Sequence, residues 1–130
     1  MALVSDLSHF ALSEFKHPEL VDLDAATMLN EVRDRYGKPL VLTSDARTPA
    51  ENAALPGSSP TSLHLQGRAF DLQWLPDAPD RWKFVCAVVG VQRLYGYQPE
   101  LEFVLSGPQQ HVHLGWYKGA HPGQLELRLT

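Results

Sequence analysis

The chain contains a single cysteine, Cys86, in 130 residues. No internal disulfide can form and no thiolate cluster can be built, so any metal site must draw on histidine and carboxylate. Apolar residues never run on for the eighteen or so positions that a membrane span requires. The opening MALVSDLSHF has neither a basic segment nor an apolar stretch of signal-peptide length. The expectation is a protein without a membrane partner or a signal peptide, cytoplasmic at synthesis. Positive charge is scarce as well: 11 Lys and Arg stand among 15 Asp and Glu, interspersed, for a formal charge of -4. That leaves no basic stripe of the kind nucleic-acid binding uses. Internal repeats, low-complexity blocks and a glycine-rich phosphate loop are also missing.

What remains is a chain of one-domain length with 44% hydrophobic and 20% charged residues, expected to fold as one domain over 1–130 and to act as a monomer. In the lead-in SHFALSEFKHP, Phe10, Leu12 and Phe15 are expected to tuck against the core. Apolar residues then recur at Ala25, Met28, Leu29, Val32 and Tyr36, with Asp22 or Asp24 to cap the start and Gly37 to close the run, which predicts a helix over 24–36. A β-prone run at 40–44 leads into a long polar stretch, Asp45 to Ser62, with one helical turn expected near 49–55. A strand over 68–74 follows. The second helix is expected over 78–90, with Trp82, Val85, Val88 and Val89 as its apolar face. The runs at 101–106 and 111–117, separated by GPQQ, read as a hairpin, and LELRL near the end as an edge strand. Two main helices with mostly hairpin-linked strands indicate an α+β fold.

Chemistry concentrates in two stretches. In Ser62-Leu63-His64-Leu65-Gln66-Gly67-Arg68-Ala69-Phe70-Asp71, Gly67 permits a sharp turn that folds His64 back towards the next strand. On that strand Ala69 and Asp71 share one face while Arg68, Phe70 and Leu72 take the other, and the small Ala69 leaves space beside Asp71. In His111-Val112-His113 the two imidazoles project from one face of a strand. Histidine and aspartate are ordinary zinc ligands, and two histidines with one aspartate leave a fourth tetrahedral position for water. A lone His-x-His pair is more often surface than ligand; the ten-residue pattern upstream is what gives it weight.

These residues, SLHLQGRAFD followed by HVH, resemble the signature of the superfamily of zinc D-Ala-D-Ala carboxypeptidases, related bacteriophage peptidoglycan peptidases and the hedgehog domain. HFALSEF, the segment before Ser44 and Arg47-Thr48 extend the similarity over most of the chain. The resemblance implies a small, mostly antiparallel sheet with the two main helices on one side and a long loop near the zinc site. It implies one zinc ion held by His64, Asp71 and His113, with His111 beside the metal polarising the substrate carbonyl or stabilising the oxyanion, and Arg47 binding a substrate carboxylate.

One departure stands out. Peptidases of this superfamily commonly place an acid three residues before the last zinc histidine, and Gln110 occupies that position, an amide that takes no proton at neutral pH. Glu102, on the partner strand of the expected hairpin, is the substitute base, with Glu100 in reserve and His111 as a further acceptor. The function implied is a zinc metallopeptidase acting on peptidoglycan stem peptides as a carboxypeptidase or endopeptidase, in the manner of a phage-encoded endolysin that reaches the cell wall after release. The rival is a zinc-containing binding or structural module that has lost catalysis.

Overall fold

The computed structural model describes residues 7–106, 109–120 and 125–130. Helix α1, Leu23–Tyr36, starts where the Asp22 carboxylate accepts from the Ala25 amide at 3.0 Å and stops at Gly37, whose φ of 80° turns the chain away. Its inner face is the expected one: Ala25, Met28, Leu29, Val32 and Tyr36 are buried. Strand β1 is Leu42–Ser44, and the long polar stretch after it carries the short helix α2, Pro49–Ala54, closed at its start by a reciprocal Thr48–Glu51 cap. Strand β2 is Ala69–Gln73.

Helix α3, Ala78–Tyr95, runs five residues beyond its expected end at 90 and stops at Gly96, which takes φ 78°. Gly90 lies inside it, where a Cβ would come 2.7 Å from Arg35 Nη1 of α1, the movable end of a long side chain. The expected apolar stripe is corrected: Phe84, Ala87, Val88 and Val91 are buried, whereas Trp82 is 66% exposed and Val85 and Val89 are half-buried. In the lead-in Phe10 and Phe15 are buried, but Leu12 is exposed, in the short 3-10 turn Leu12–Glu14, which contains no buried residue.

Strands β3, Tyr97–Val104, and β4, His111–Ala120, pair antiparallel as a hairpin; Gly107 and Pro108 of its expected GPQQ turn lie outside the described residues. Strand β5, Glu126–Leu129, pairs parallel with β3, so the five-stranded sheet, in the order β1-β2-β4-β3-β5, is mixed, with its other three pairings antiparallel. Phe70, Leu72, Leu101, Phe103, Val112, Leu114 and Trp116 on one face join the inner residues of α1 and α3 in a single hydrophobic cluster. The side chains that alternate with them point to the other face. There one rung of paired Cα positions crosses all five strands: Ser44, Asp71, His113, Glu102 and Arg128.

Two residues fasten this sheet to α1. Gly67 takes φ 68°, and a Cβ on it would come within 2.1 Å of the Leu20 carbonyl oxygen, while its own carbonyl accepts from the Asp22 amide at 2.9 Å. Arg68 is buried. It donates to the Trp116 carbonyl at 2.9 Å and to the Asp22 carboxylate at 2.7 Å, with its guanidinium 5.0 Å from the Tyr97 ring centre. No helix among the described residues is long and apolar enough to cross a membrane.

Candidate metal centre

His64 sits in a 3-10 turn, Leu63–Gln66, that ends at Gly67 and packs on the polar face of the sheet. Its Nδ1 lies 2.6 Å from the Asp45 carbonyl oxygen. A carbonyl only accepts, so Nδ1 holds the proton and the lone pair is on Nε2. That Nε2 is buried, has no hydrogen-bond partner among the described residues, and lies 3.3 Å from Asp71 Oδ1. His113 has the opposite arrangement. Its Nε2 donates to Glu100 Oε1 at 2.7 Å, which leaves Nδ1 facing Asp71 Oδ1 at 3.1 Å.

The ligand atoms of His64, Asp71 and His113 all lie within 4.8 Å of one another. Two imidazole lone pairs and a carboxylate thus converge on one point in a largely dry setting, an arrangement of acceptors that calls for a cation between them. The bare His64 Nε2 is the observation that makes zinc fit these residues. With an ion bound, Glu100 would be the carboxylate that orients the His113 imidazole and strengthens its basicity. In the protein alone, a proton supplies the missing charge. Burial pulls the His113 pKa down, but the hydrogen bonds to Asp71 and Glu100 outweigh it and hold it at about 9. Burial likewise pushes the Asp71 carboxyl up, and the hydrogen bond to His113 more than reverses this, holding it well below the usual carboxylate range. The His113 hydrogen bond holds Glu100 down to about 2 against the effect of burial.

The three residues line a polar cleft of about 460 Å³. Arg47 borders it from the loop after β1, with Nη2 3.6 Å from Asp71 Oδ2 and Nη1 3.3 Å from the Asn52 side-chain oxygen. His111 borders it too. Its Nδ1 faces the Gln109 carbonyl at 3.1 Å, and its Nε2 lies 3.9 Å from Asp71 Oδ1. Glu102 lines the cleft as the cross-strand partner of His113. Gln110 is exposed and outside it, its amide nitrogen 3.5 Å from the Leu105 carbonyl.

Three neighbours were not singled out from sequence. The Tyr117 hydroxyl lies 2.6 Å from Glu100 Oε2 and 2.9 Å from Glu126 Oε2, and these two carboxylates push its pKa up once burial has begun to do so. Arg128 reaches Glu100 at 3.5 Å and Glu126 at 3.7 Å. The signal for all three was period two: Glu100 and Glu102, His111, His113 and Tyr117, and Glu126 and Arg128 fall on alternate positions of three adjacent strands.

Comparison with curated protein sequences finds no match. The family model Peptidase M15 matches residues 7–114. The matched span contains His64, Asp71, His113, Arg47 and Glu102 and ends before Tyr117, Glu126 and Arg128. Members of that family are zinc-dependent metallopeptidases, the chemistry that the acceptor triangle and its bare imidazole nitrogen call for. With a match that extends over most of its length, the chain belongs to the peptidase M15 family.

Proposed function

We propose that the protein is a zinc-dependent peptidase that cleaves peptidoglycan stem peptides, as a D-alanyl carboxypeptidase or an endopeptidase of the endolysin kind. The observation that carries this reading is the buried, unpartnered His64 Nε2, aimed at Asp71 and His113 in the floor of a polar cleft. His64, Asp71 and His113 would hold the ion, which when bound supplies a Lewis acid for the attacking water and the scissile carbonyl. Arg47 offers a planar fork to a substrate carboxylate. Glu102 takes the proton of the attacking water and passes it to the leaving amine. Glu100 is a poor base, because His113 and Tyr117 occupy its two oxygens and its pKa is held down to about 2. His111 borders the cleft beside Asp71, where it polarises the substrate carbonyl or stabilises the oxyanion. A phage-encoded lysin acting on the wall after release is the biological setting of this reading.

The second reading is a zinc-holding binding module without turnover, and the observation in its favour is Gln110, which puts an amide, turned away from the cleft, where related peptidases keep an acid. Release of peptides from purified peptidoglycan and of D-alanine from D-alanyl-D-alanine peptides tests both. Hydrolysis by the zinc-loaded protein that is lost in His64→Ala supports the peptidase; a zinc-loaded native protein inert on every substrate replaces it with the binding module. Zinc content does not separate the two, since both require the ion.

A further inference from the structure

Arg128 has no role in the reading above. It stands on β5, beyond the matched span, yet it closes the rung that carries Asp71, His113 and Glu102. Its present contacts, 3.5 Å to Glu100 and 3.7 Å to Glu126, are longer than hydrogen bonds, and its side chain is 47% exposed. Glu100 meanwhile has closer partners in His113 and Tyr117. The guanidinium thus borders the cleft, paired with Glu100 and Glu126 at distances longer than those of the other groups that hold Glu100.

The second arginine, Arg47, lies on the other side of the acceptor triangle, beside Asp71 of β2. Between the two guanidinium groups runs β4 with His113. Arg47 reaches Asp71 of β2 and Arg128, from β5, leans over β3 to reach Glu100, so two strand spacings, on the order of 10 Å, separate the carboxylates they touch, about the separation of groups three residues apart in an extended peptide. We infer that Arg128 is a second carboxylate anchor, and that the cleft takes peptides with two anionic groups, a terminal carboxylate on Arg47 and an acidic side chain on the amino-terminal side of the scissile bond on Arg128. This inference rests on the peptidase reading for the position of the scissile bond, but the binding it describes is independent of turnover. Arginine suits the task because its fork gives two parallel, charge-assisted hydrogen bonds to a carboxylate.

The test uses two synthetic D-alanyl tetrapeptides with free C-termini, alike except that the residue two positions before the scissile bond is glutamate in one and glutamine in the other. Calorimetry on the zinc-loaded protein should show at least about tenfold tighter binding of the glutamate peptide, as a charged, hydrogen-bonded contact warrants. The preference should shrink with added salt, because the anchor is half-exposed. In Arg128→Ala the ratio of affinities, and of kcat/KM where turnover is present, should fall towards one. Arg128→Lys should retain part of it. Zinc content of both variants checks that the site is intact. A native ratio near one, or a ratio unchanged in Arg128→Ala, overturns the inference. If the native protein binds the glutamate peptide preferentially through Arg128 but cleaves neither peptide, the peptidase reading fails and the anchor stands.

Discussion

His64 has one ring nitrogen engaged by the Asp45 carbonyl and the other left bare, and His113 mirrors it through Glu100. With the tautomers set in this way, each candidate ligand supplies one of only three donors. His64→Ala, Asp71→Ala and His113→Ala should each lose the zinc, while His111→Ala should keep it, as elemental analysis of the purified variants would show; stoichiometric zinc in the first three defeats the assignment. The two glutamates of β3 should separate by phenotype. Glu102→Gln should lower the hydrolytic rate by about a hundred- to ten-thousand-fold at unchanged zinc content. Glu100→Gln should instead weaken zinc affinity by about ten- to a hundred-fold, measured by competition with a chelator, because it leaves His113 without the carboxylate that orients it. The candidate triangle was legible through the resemblance of SLHLQGRAFD and HVH to the family signature, to which Gly67, Ala69 and Asp71 add a turn, a gap and a face within ten residues. Glu100 was harder to place. Alternation assigns Glu100 and Glu102 to the same face, and only the cross-strand geometry shows that the first meets the far nitrogen of His113.

Among the elements, α1 and β2 could be read closely, since their caps and alternation are local. Helix α3 departs from its expected range and face: it continues through Gly90 to Tyr95, and Trp82, expected in the core, faces solvent. The face that is buried is the one that packs on α1, and periodicity along one chain does not contain that contact. The turn at Gly67 joins the element scale to the site, because it delivers His64 from one side and Ala69 and Asp71 from the other. Gly37 serves as its control. Both glycines have positive φ, yet a Cβ at Gly37 meets nothing within 4 Å, whereas one at Gly67 collides with the backbone of Leu20 and Asp22. Gly37→Ala should cost about 1–2 kcal/mol, the conformational penalty alone. Gly67→Ala should cost clearly more in urea unfolding and should also weaken zinc binding. Equal costs would mean that the segment Leu20–Asp22 yields freely and does not hold the turn.

For the molecule as a whole, the acceptor triangle ties stability to pH. In the metal-free protein His113 titrates at about 9, above its ordinary 6.5, so its contribution is complete below about pH 6.5 and is lost as pH rises through 9. Glu100 is depressed from 4.5 to about 2, so its contribution is present above 4.5 and is lost as pH falls towards 2. Metal-free protein should therefore be most stable between about pH 4.5 and 6.5. Zinc displaces the His113 proton, so loading should remove the alkaline decline and release protons near neutrality. Unfolding midpoints against pH, with and without zinc, check this; parallel curves would show that the proton and the metal do not compete. The rung from Ser44 to Arg128 carries a further consequence. Because successive residues of a strand face opposite ways, inserting or deleting one residue within β2 would turn Asp71 into the apolar cluster and bring Phe70 or Leu72 out to the cleft. The same slip that dismantles the site would bury an unpartnered carboxylate. Changes of side chain can alter the site while the core stays intact, but changes of strand length cannot. Among descendants of this chain, surviving insertions and deletions should therefore be confined to the loops and the strand ends.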